Sequence, residues 1–257
     1  MYGRRVIEEY LRSPHAAIKP ARIRLLASLP EAVRKRLGDW APKTPIDLLD
    51  ARQLDELCEK NHQGIVFQFE AHSFPGLQAK KPAEVLSTAK GPLLLLDRIQ
   101  DAGNLGAILR TAEVYGFRSV FLSHQCAPIS AAVHRASSGA SLHLQIYQSG
   151  NLQQFCKSTR KAGFWLCGAI APSDLERKPN SGQLANRTLL QHDQLQALPP
   201  TDQIVLLIGS EGEGLRDLAL RNCDFLLTIQ LSGQTTSLNA AVAAGILMDR
   251  LRFRSLP

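Results

Sequence analysis

Apolar residues recur along this chain in two rhythms. Val6, Ile7, Tyr10 and Leu11 fall at i, i+1, i+4 and i+5, which predicts a helix over residues 2–12. Residues 23–27 read as a short strand, followed by a basic helix through Lys35. Pro42 and Pro45 mark a loop. Asp50 is placed to cap a helix running to Lys60, with Leu54, Leu57 and Cys58 on one face. Asn61-His62-Gln63-Gly64 then turns into a β-type run at residues 65–69. Together these elements predict a small α/β domain over residues 1–70. From 71 to 90 the pattern dissolves, and Pro75-Gly76, Lys80-Lys81-Pro82 and Gly91-Pro92 punctuate it, so a linker is expected there.

Residues 91–257 alternate regularly. Short apolar runs at 93–96, 118–122, 142–147, 164–169, 203–208 and 225–230 are separated by helical patterns or long loops. Such alternation implies βα units and a largely parallel sheet, an α/β fold. Residues 173–200 are the least regular stretch, a long loop with a strand-like piece at Thr188-Leu189-Leu190.

Three polar clusters follow strands, and ligands collect at the carboxyl ends of strands in an open α/β sheet. The first is Asp101-Ala-Gly-Asn104-Leu-Gly-Ala-Ile-Leu-Arg110-Thr-Ala. Asn104 is placed to cap a helix whose apolar face is Leu105, Ile108, Leu109 and Ala112 and which Gly116 ends. Arg110 lies off that face, either a surface arginine paired with Glu113 or a functional group. The second cluster is Gly209-Ser-Glu211-Gly-Glu213-Gly214. It lacks both the Walker ending and dinucleotide spacing, and its glutamates would repel a phosphate. It suits a neutral or cationic ligand, or else is a turn with its glutamates in water. The third is Gly233-Gln-Thr-Thr-Ser237-Leu-Asn239. Ser237 is placed to cap a long terminal helix with Leu238, Val242, Ile246 and Leu247 inward, and Asn239 is either functional or simply solvated.

Composition adds a partner class. The 257 residues carry a net charge of +7, and residues 1–36 hold nine Lys or Arg against three Glu. That balance suits a polyanion or a solvated basic surface. The five cysteines are odd in number and none has C-x-x-C spacing, so a zinc site or disulfide framework is not expected; free thiols in the cytoplasm fit better. No apolar run approaches the ~20 residues of a membrane span, and no secretory segment is expected.

Taken together, the clusters resemble the three sequence motifs of the SpoU, or TrmH, family of RNA ribose 2′-O-methyltransferases. Asn104-Leu-Gly-Ala-Ile-Leu-Arg110-Thr-Ala resembles motif one, Ile208-Gly-Ser-Glu211-Gly-Glu-Gly214-Leu motif two, and Ile229-Gln-Leu-Ser-Gly233 through Ser237-Leu-Asn239-Ala-Ala-Val-Ala motif three. His134-Arg-Ala-Ser-Ser-Gly-Ala140 fits the stretch between the first two. Tyr2-Gly3 and Asn61-His62-Gln63-Gly64-Ile-Val resemble the RlmB-like branch, which acts on guanosine ribose in large-subunit (23S) rRNA. Ala102 stands where the family often has proline.

The resemblance implies a C-terminal SPOUT domain with a parallel sheet and deep trefoil knot over residues 91–257, homodimeric through that domain. It also implies an L30e-like RNA substrate-binding domain over residues 1–70. The implied methyl donor is S-adenosyl-L-methionine, held largely by backbone atoms of Gly209, Ile229, Leu231 and Leu238, with no metal required. By position Arg110 engages the target ribose and phosphate, Asn104 and Glu211 orient it or the substrate, and Ser237 and Asn239 order the knot loop. Arg22, Arg24, Arg34, Lys35 and Arg36 are the candidate phosphate contacts. A tRNA 2′-O-methyltransferase of the same family and a non-catalytic RNA-binding ribosome-assembly factor remain alternatives.

Overall fold

The central strands of the larger unit's sheet are built from runs with no exposed face. The leucines of β4 (Leu93–Asp97) and the residues of β9 (Ile204–Gly209) are all buried, as expected for strands covered on both sides. The structure is a computed structural model that describes residues 1–58, 61–177, 188–191 and 193–253. The chain forms two units, one of Met1–Gly76 with Ile129–His143, the other of Leu77–Pro128 with Leu144–Pro257.

In the first unit, β1 (Arg22–Leu26) lies between β2 (Ile46–Leu49), parallel to it, and β3 (Ile65–Gln68), antiparallel. The helices are α1 (Arg4–Arg12), α2 (Glu31–Trp40), α3 (Ala51–Leu57) and α6 (Ala131–Ala136). Asp50 and Gln53 form a capping box that starts α3, as the sequence suggests; the expected end of that helix at Lys60 falls outside the described residues. Strand β2 was not expected, because its four residues sit in a proline-flanked stretch with no alternating pattern. Tyr10, fully buried, meets Trp40 and Phe67 edge-on, while Trp40 stacks on Phe67 with centroids 5.7 Å apart. Rings of this size dominate such a small core.

In the second unit seven strands run in the order β6-β5-β4-β9-β7-β10-β8, and every pairing is parallel. The remaining strands are β5 (Ser119–Leu122), β6 (Gln145–Gln148), β7 (Trp165–Ala169), β8 (Thr188–Gln191) and β10 (Phe225–Thr228). Side chains alternate across the pleat. Leu93, Leu95, Val205 and Leu207 join one core with residues of α4 (Pro82–Leu86), α7 (Leu152–Lys161) and α9 (Asp217–Asn222). Helices α5 (Ala102–Val114) and α10 (Ala240–Phe253) pack side by side. Strand β9 fills the slot between β4 and β7, where the strand order reverses, and this is where ligands bind in open α/β sheets.

The residues 71–90 expected as a linker divide between the units. Gln78 bridges to Tyr147 at the β6 edge, and Val85 and Leu86 of α4 enter the larger core. Residues 129–143, expected within the C-terminal domain, belong with the first unit. There the buried His134 is held by the Ser141 hydroxyl at 2.8 Å and donates to the Pro75 carbonyl at 2.9 Å. Only part of the irregular stretch 173–200 is open loop: α8 (Pro172–Arg177) begins it and β8 pairs with β10.

Candidate active site

The carboxyl ends of β4, β9 and β10 carry the three clusters, and two of their turns differ from the expected capping. Asp101, not Asn104, caps α5: its Oδ1 accepts the Asn104 backbone N–H at 2.7 Å. The cap sits three residues earlier than expected, which places Asn104 in the first helical turn with its amide released to bond outward. Likewise Asn239, not Ser237, caps α10. Its Oδ1 accepts from the backbone N–H groups of Ala241 at 2.9 Å and Val242 at 3.3 Å. Of the residues expected inward Leu247 is buried but Val242 is half-exposed, and Ala244, Met248 and Leu251 complete the buried stripe.

The released amides meet. Asn104 donates through Nδ2 to Glu211 Oε1. Asn239 donates through its own Nδ2 to Glu211 Oε1 at 2.8 Å and to Asn104 Oδ1 at 3.0 Å. One side chain from each cluster thus closes a three-way junction, and one carboxylate oxygen of Glu211 collects both amide donors. Bonds to a charged acceptor are about twice as strong as neutral ones.

Two cavities open on either side of the loop that carries Glu211, and Ser210, Glu211 and Gly212 line both. The first, about 280 Å³, is walled by Gly209, Ile229, Leu231, Leu238, Ser237 and Asp174 among others. All four residues expected to hold a cofactor are on this wall, and so is Ser237. Gly209 allows no side chain: a Cβ there would lie 2.2 Å from Gly214 C and Leu215 N. Asp174 was missed, because it falls in the stretch read as irregular loop. The residue is only 6% exposed.

Arg110 does not share this junction. It is exposed on α5, six positions after Asn104, about 9 Å along the helix axis and turned well away from it. It lines neither cavity. The candidate RNA contacts lie in the other unit. Arg22 and Arg24 both approach Asp47, at 3.0 and 3.6 Å, whereas Lys35 and Arg36 are exposed on α2.

A second layer was not legible in the sequence. Asp97, 1% exposed at the end of β4, takes Arg216 in a two-pronged ion pair at 2.7 and 2.9 Å. Arg98, in left-handed backbone at φ 63°, holds Glu213 and reaches the Gly214 carbonyl at 3.2 Å. These two neighbours anchor the far end of the Glu211 loop. Nothing in a run of leucines ending in Asp-Arg signals partners more than 110 residues away.

A sequence profile of the SpoU rRNA Methylase family matches residues 91–249. The 23S rRNA (guanosine-2′-O-)-methyltransferase RlmB of Pseudomonas aeruginosa is 33% identical over 217 residues, 83% of this chain and 79% of that protein. A TrmH-family protein of Porphyromonas gingivalis superposes with a TM-score of 0.70 at 25% identity, over 99% of this chain and 89% of that one. An AdoMet-bound rRNA methyltransferase from Sinorhizobium meliloti shares the fold, with a TM-score of 0.74 at 20% identity over 100% of this chain and 87% of that one. Among the described residues no helix is long and apolar enough to cross a membrane. By its motifs and by these likenesses, the chain belongs to the SpoU rRNA methylase family.

Proposed function

We propose that the chain transfers a methyl group from S-adenosylmethionine to a ribose 2′-hydroxyl of RNA, at a guanosine of large-subunit rRNA. The observation that carries this reading is the junction of Asn104, Glu211 and Asn239, whose Glu211 also lines the cavity built from Gly209, Ile229, Leu231 and Leu238. The guanosine and the large subunit are taken from the relative in Pseudomonas aeruginosa.

The residues of the first cavity fit this cofactor. Its apolar walls suit an adenosine and an alkyl chain, and the bare backbone at Gly209 admits close approach. When bound, S-adenosylmethionine supplies an electrophilic methyl group on a sulfonium. The protein's share is to position the ribose and accept a proton. Glu211 is suited to the latter: Oε1 is engaged by the two asparagines, while Oε2 makes no bond among the described residues. A guanidinium is a poor base, and Arg110 acts by engaging RNA phosphate and stabilising charge. Asn104 and Asn239 fix the Glu211 carboxylate, and Ser237 orders the loop before α10.

The first unit serves as the RNA-binding domain, L30e-like in its β2-β1-β3 sheet, with Lys35, Arg36 and Arg34 of α2 as phosphate contacts aided by Arg22 and Arg24. The larger unit carries the knot and the homodimer contact. Support for the knot is the insertion of β9 between β4 and β7, with β10 beyond. Support for the dimer is the exposure of Val114, Val242 and Phe253 on α5 and α10.

The test is transfer of tritiated methyl from S-adenosylmethionine to total RNA from a strain lacking this protein, with wild type and Arg110→Ala. Label in large-subunit RNA, lost in the variant, is the expected result. Label only in tRNA would move the substrate to the alternative within the family. No label in any RNA would overturn the catalytic reading in favour of an assembly factor.

A further inference from the structure

The second cavity, about 440 Å³, is lined by none of the four residues expected to hold the cofactor, yet it shares the Glu211 loop with the first. We propose that it seats the base of the target nucleotide, and that Gln100 and Gln125 read that base and select guanine. The proposal rests on the methyl-transfer reading above and assigns its specificity.

Three features of the walls point there. The first is position. Gln100 follows β4 and Gln125 follows β5, so both amides stand at the carboxyl ends of adjacent parallel strands. Ser210, Glu211 and Gly212 line both this cavity and its neighbour, so a base seated here leaves its ribose at the Glu211 junction. The second is charge. Asp101, Glu211 and Glu213 face one arginine, Arg98, already engaged by Glu213. Such a cavity rejects phosphate and favours a neutral group rich in N–H donors. The third is vacancy of the amides. Gln100 and Gln125 are exposed, and their side chains make no hydrogen bond among the described residues, whereas Asn104 and Asp101 are committed to the junction and the cap.

Guanine matches this wall better than adenine. Its Watson–Crick edge offers three N–H donors, on N1 and the N2 amine, and one acceptor, O6. A glutamine amide supplies both a donor for O6 and an acceptor for N1–H or N2–H. The Asp101 carboxylate, which caps α5 through Oδ1, takes a remaining donor through Oδ2. Adenine offers only its N6 amine against the same acidic wall. Enzymes that act on RNA commonly splay the base from its strand and read that edge.

The experiment has two readouts on the full chain, wild type and Gln100→Ala/Gln125→Ala. Saturation-transfer NMR compares binding of guanosine, inosine and adenosine without any turnover. Methyl transfer compares RNA substrates carrying guanosine, inosine or adenosine at the mapped target. Wild type is expected to prefer guanosine, with inosine weaker for want of its N2 amine. The double variant is expected to lose roughly 5- to 150-fold of that preference, the size of one good base contact, with S-adenosylmethionine affinity unchanged. Unchanged base preference in an active double variant would overturn the assignment while leaving the methyltransferase reading intact. Guanosine selectivity that the variant abolishes, in a protein that methylates no RNA, would keep the cavity's role and sink the methyltransferase reading.

Discussion

Replacing Gly209 by alanine tests whether the Glu211 loop is held where the chemistry requires it. The new Cβ would lie 2.2 Å from Gly214 C and from Leu215 N, and 2.4 Å from the Gly214 carbonyl oxygen. Carbon atoms at rest sit about 3.5–4.0 Å apart, so the returning end of the loop must retreat by roughly 1.3 Å or more. It has little freedom to do so. Gly209 pairs with Asp97 in the β4 ladder, and Asp97 and Arg98 grip Arg216, Glu213 and Gly214. Overpacking of this kind costs roughly 1–3 kcal/mol. The same displacement carries Glu211 off Asn104 and Asn239, and a misplacement of ~1 Å can cost about 100-fold in rate. Gly212→Ala is the internal control: it sits in the same loop, lines both cavities, and a Cβ there meets nothing within 4 Å. Urea melts and kcat/KM for methyl transfer should show Gly209→Ala impaired in both and Gly212→Ala stable to within about 0.5 kcal/mol. Wild-type stability and rate in Gly209→Ala would refute the reasoning.

Asn239→Asp keeps the shape but sets a carboxylate against Glu211 Oε1 and Asn104 Oδ1, so methyl transfer should fall at least roughly tenfold, as like charges meet where an amide donated; a wild-type rate would contradict the junction's role. Asp97→Ala should lower stability by about 2–4 kcal/mol in denaturant melts, toward the low end for a buried pair because Arg216 is one-third exposed and can reach water. His134 is kept neutral by burial, its pKa pushed down to about 4. Between the unfolded value near 6.5 and that value only the unfolded chain takes up the proton, so stability falls as pH drops through this window, by on the order of 3 kcal/mol in all. His134→Gln should be the less stable protein at pH 7, with the gap to wild type narrowing by on the order of 2 kcal/mol at pH 5; a constant gap would exclude His134 as the cause. An Arg34/Lys35/Arg36 triple alanine variant should weaken RNA binding and flatten its dependence on log salt by about 0.7–0.9 for each phosphate that α2 no longer neutralises. An unchanged slope would remove α2 from the RNA interface.

What the sequence made legible follows from range. The leucine run of β4, the capping box at Asp50 and the turn at Gly116 depend on near neighbours, and each stands where local pattern put it. Asp101 and Asn239 took the capping roles that spacing had assigned to Asn104 and Ser237, because several cap-competent residues crowd each turn and tertiary bonds decided among them. The three clusters were readable as one site only through their resemblance to known motifs; that their amides converge on a single oxygen is a property of strand order. Asp97 with Arg216, and Arg98 with Glu213, join residues more than 110 positions apart through β4 and β9, neighbours that no window along the chain contains. For the same reason α4 hid within an expected linker, and residues 129–143 were assigned to the unit that flanks them in sequence rather than the one they pack with.

The chemistry itself is tested most directly by where the label goes. Methylation of a ribose 2′-oxygen removes the nucleophile that alkali needs to cleave the adjoining phosphodiester. After transfer of tritiated methyl to large-subunit RNA and complete alkaline hydrolysis, the account predicts label in alkali-resistant dinucleotides, with guanosine on the 5′ side. Label released in mononucleotides would mean methylation of a base, and would contradict the account.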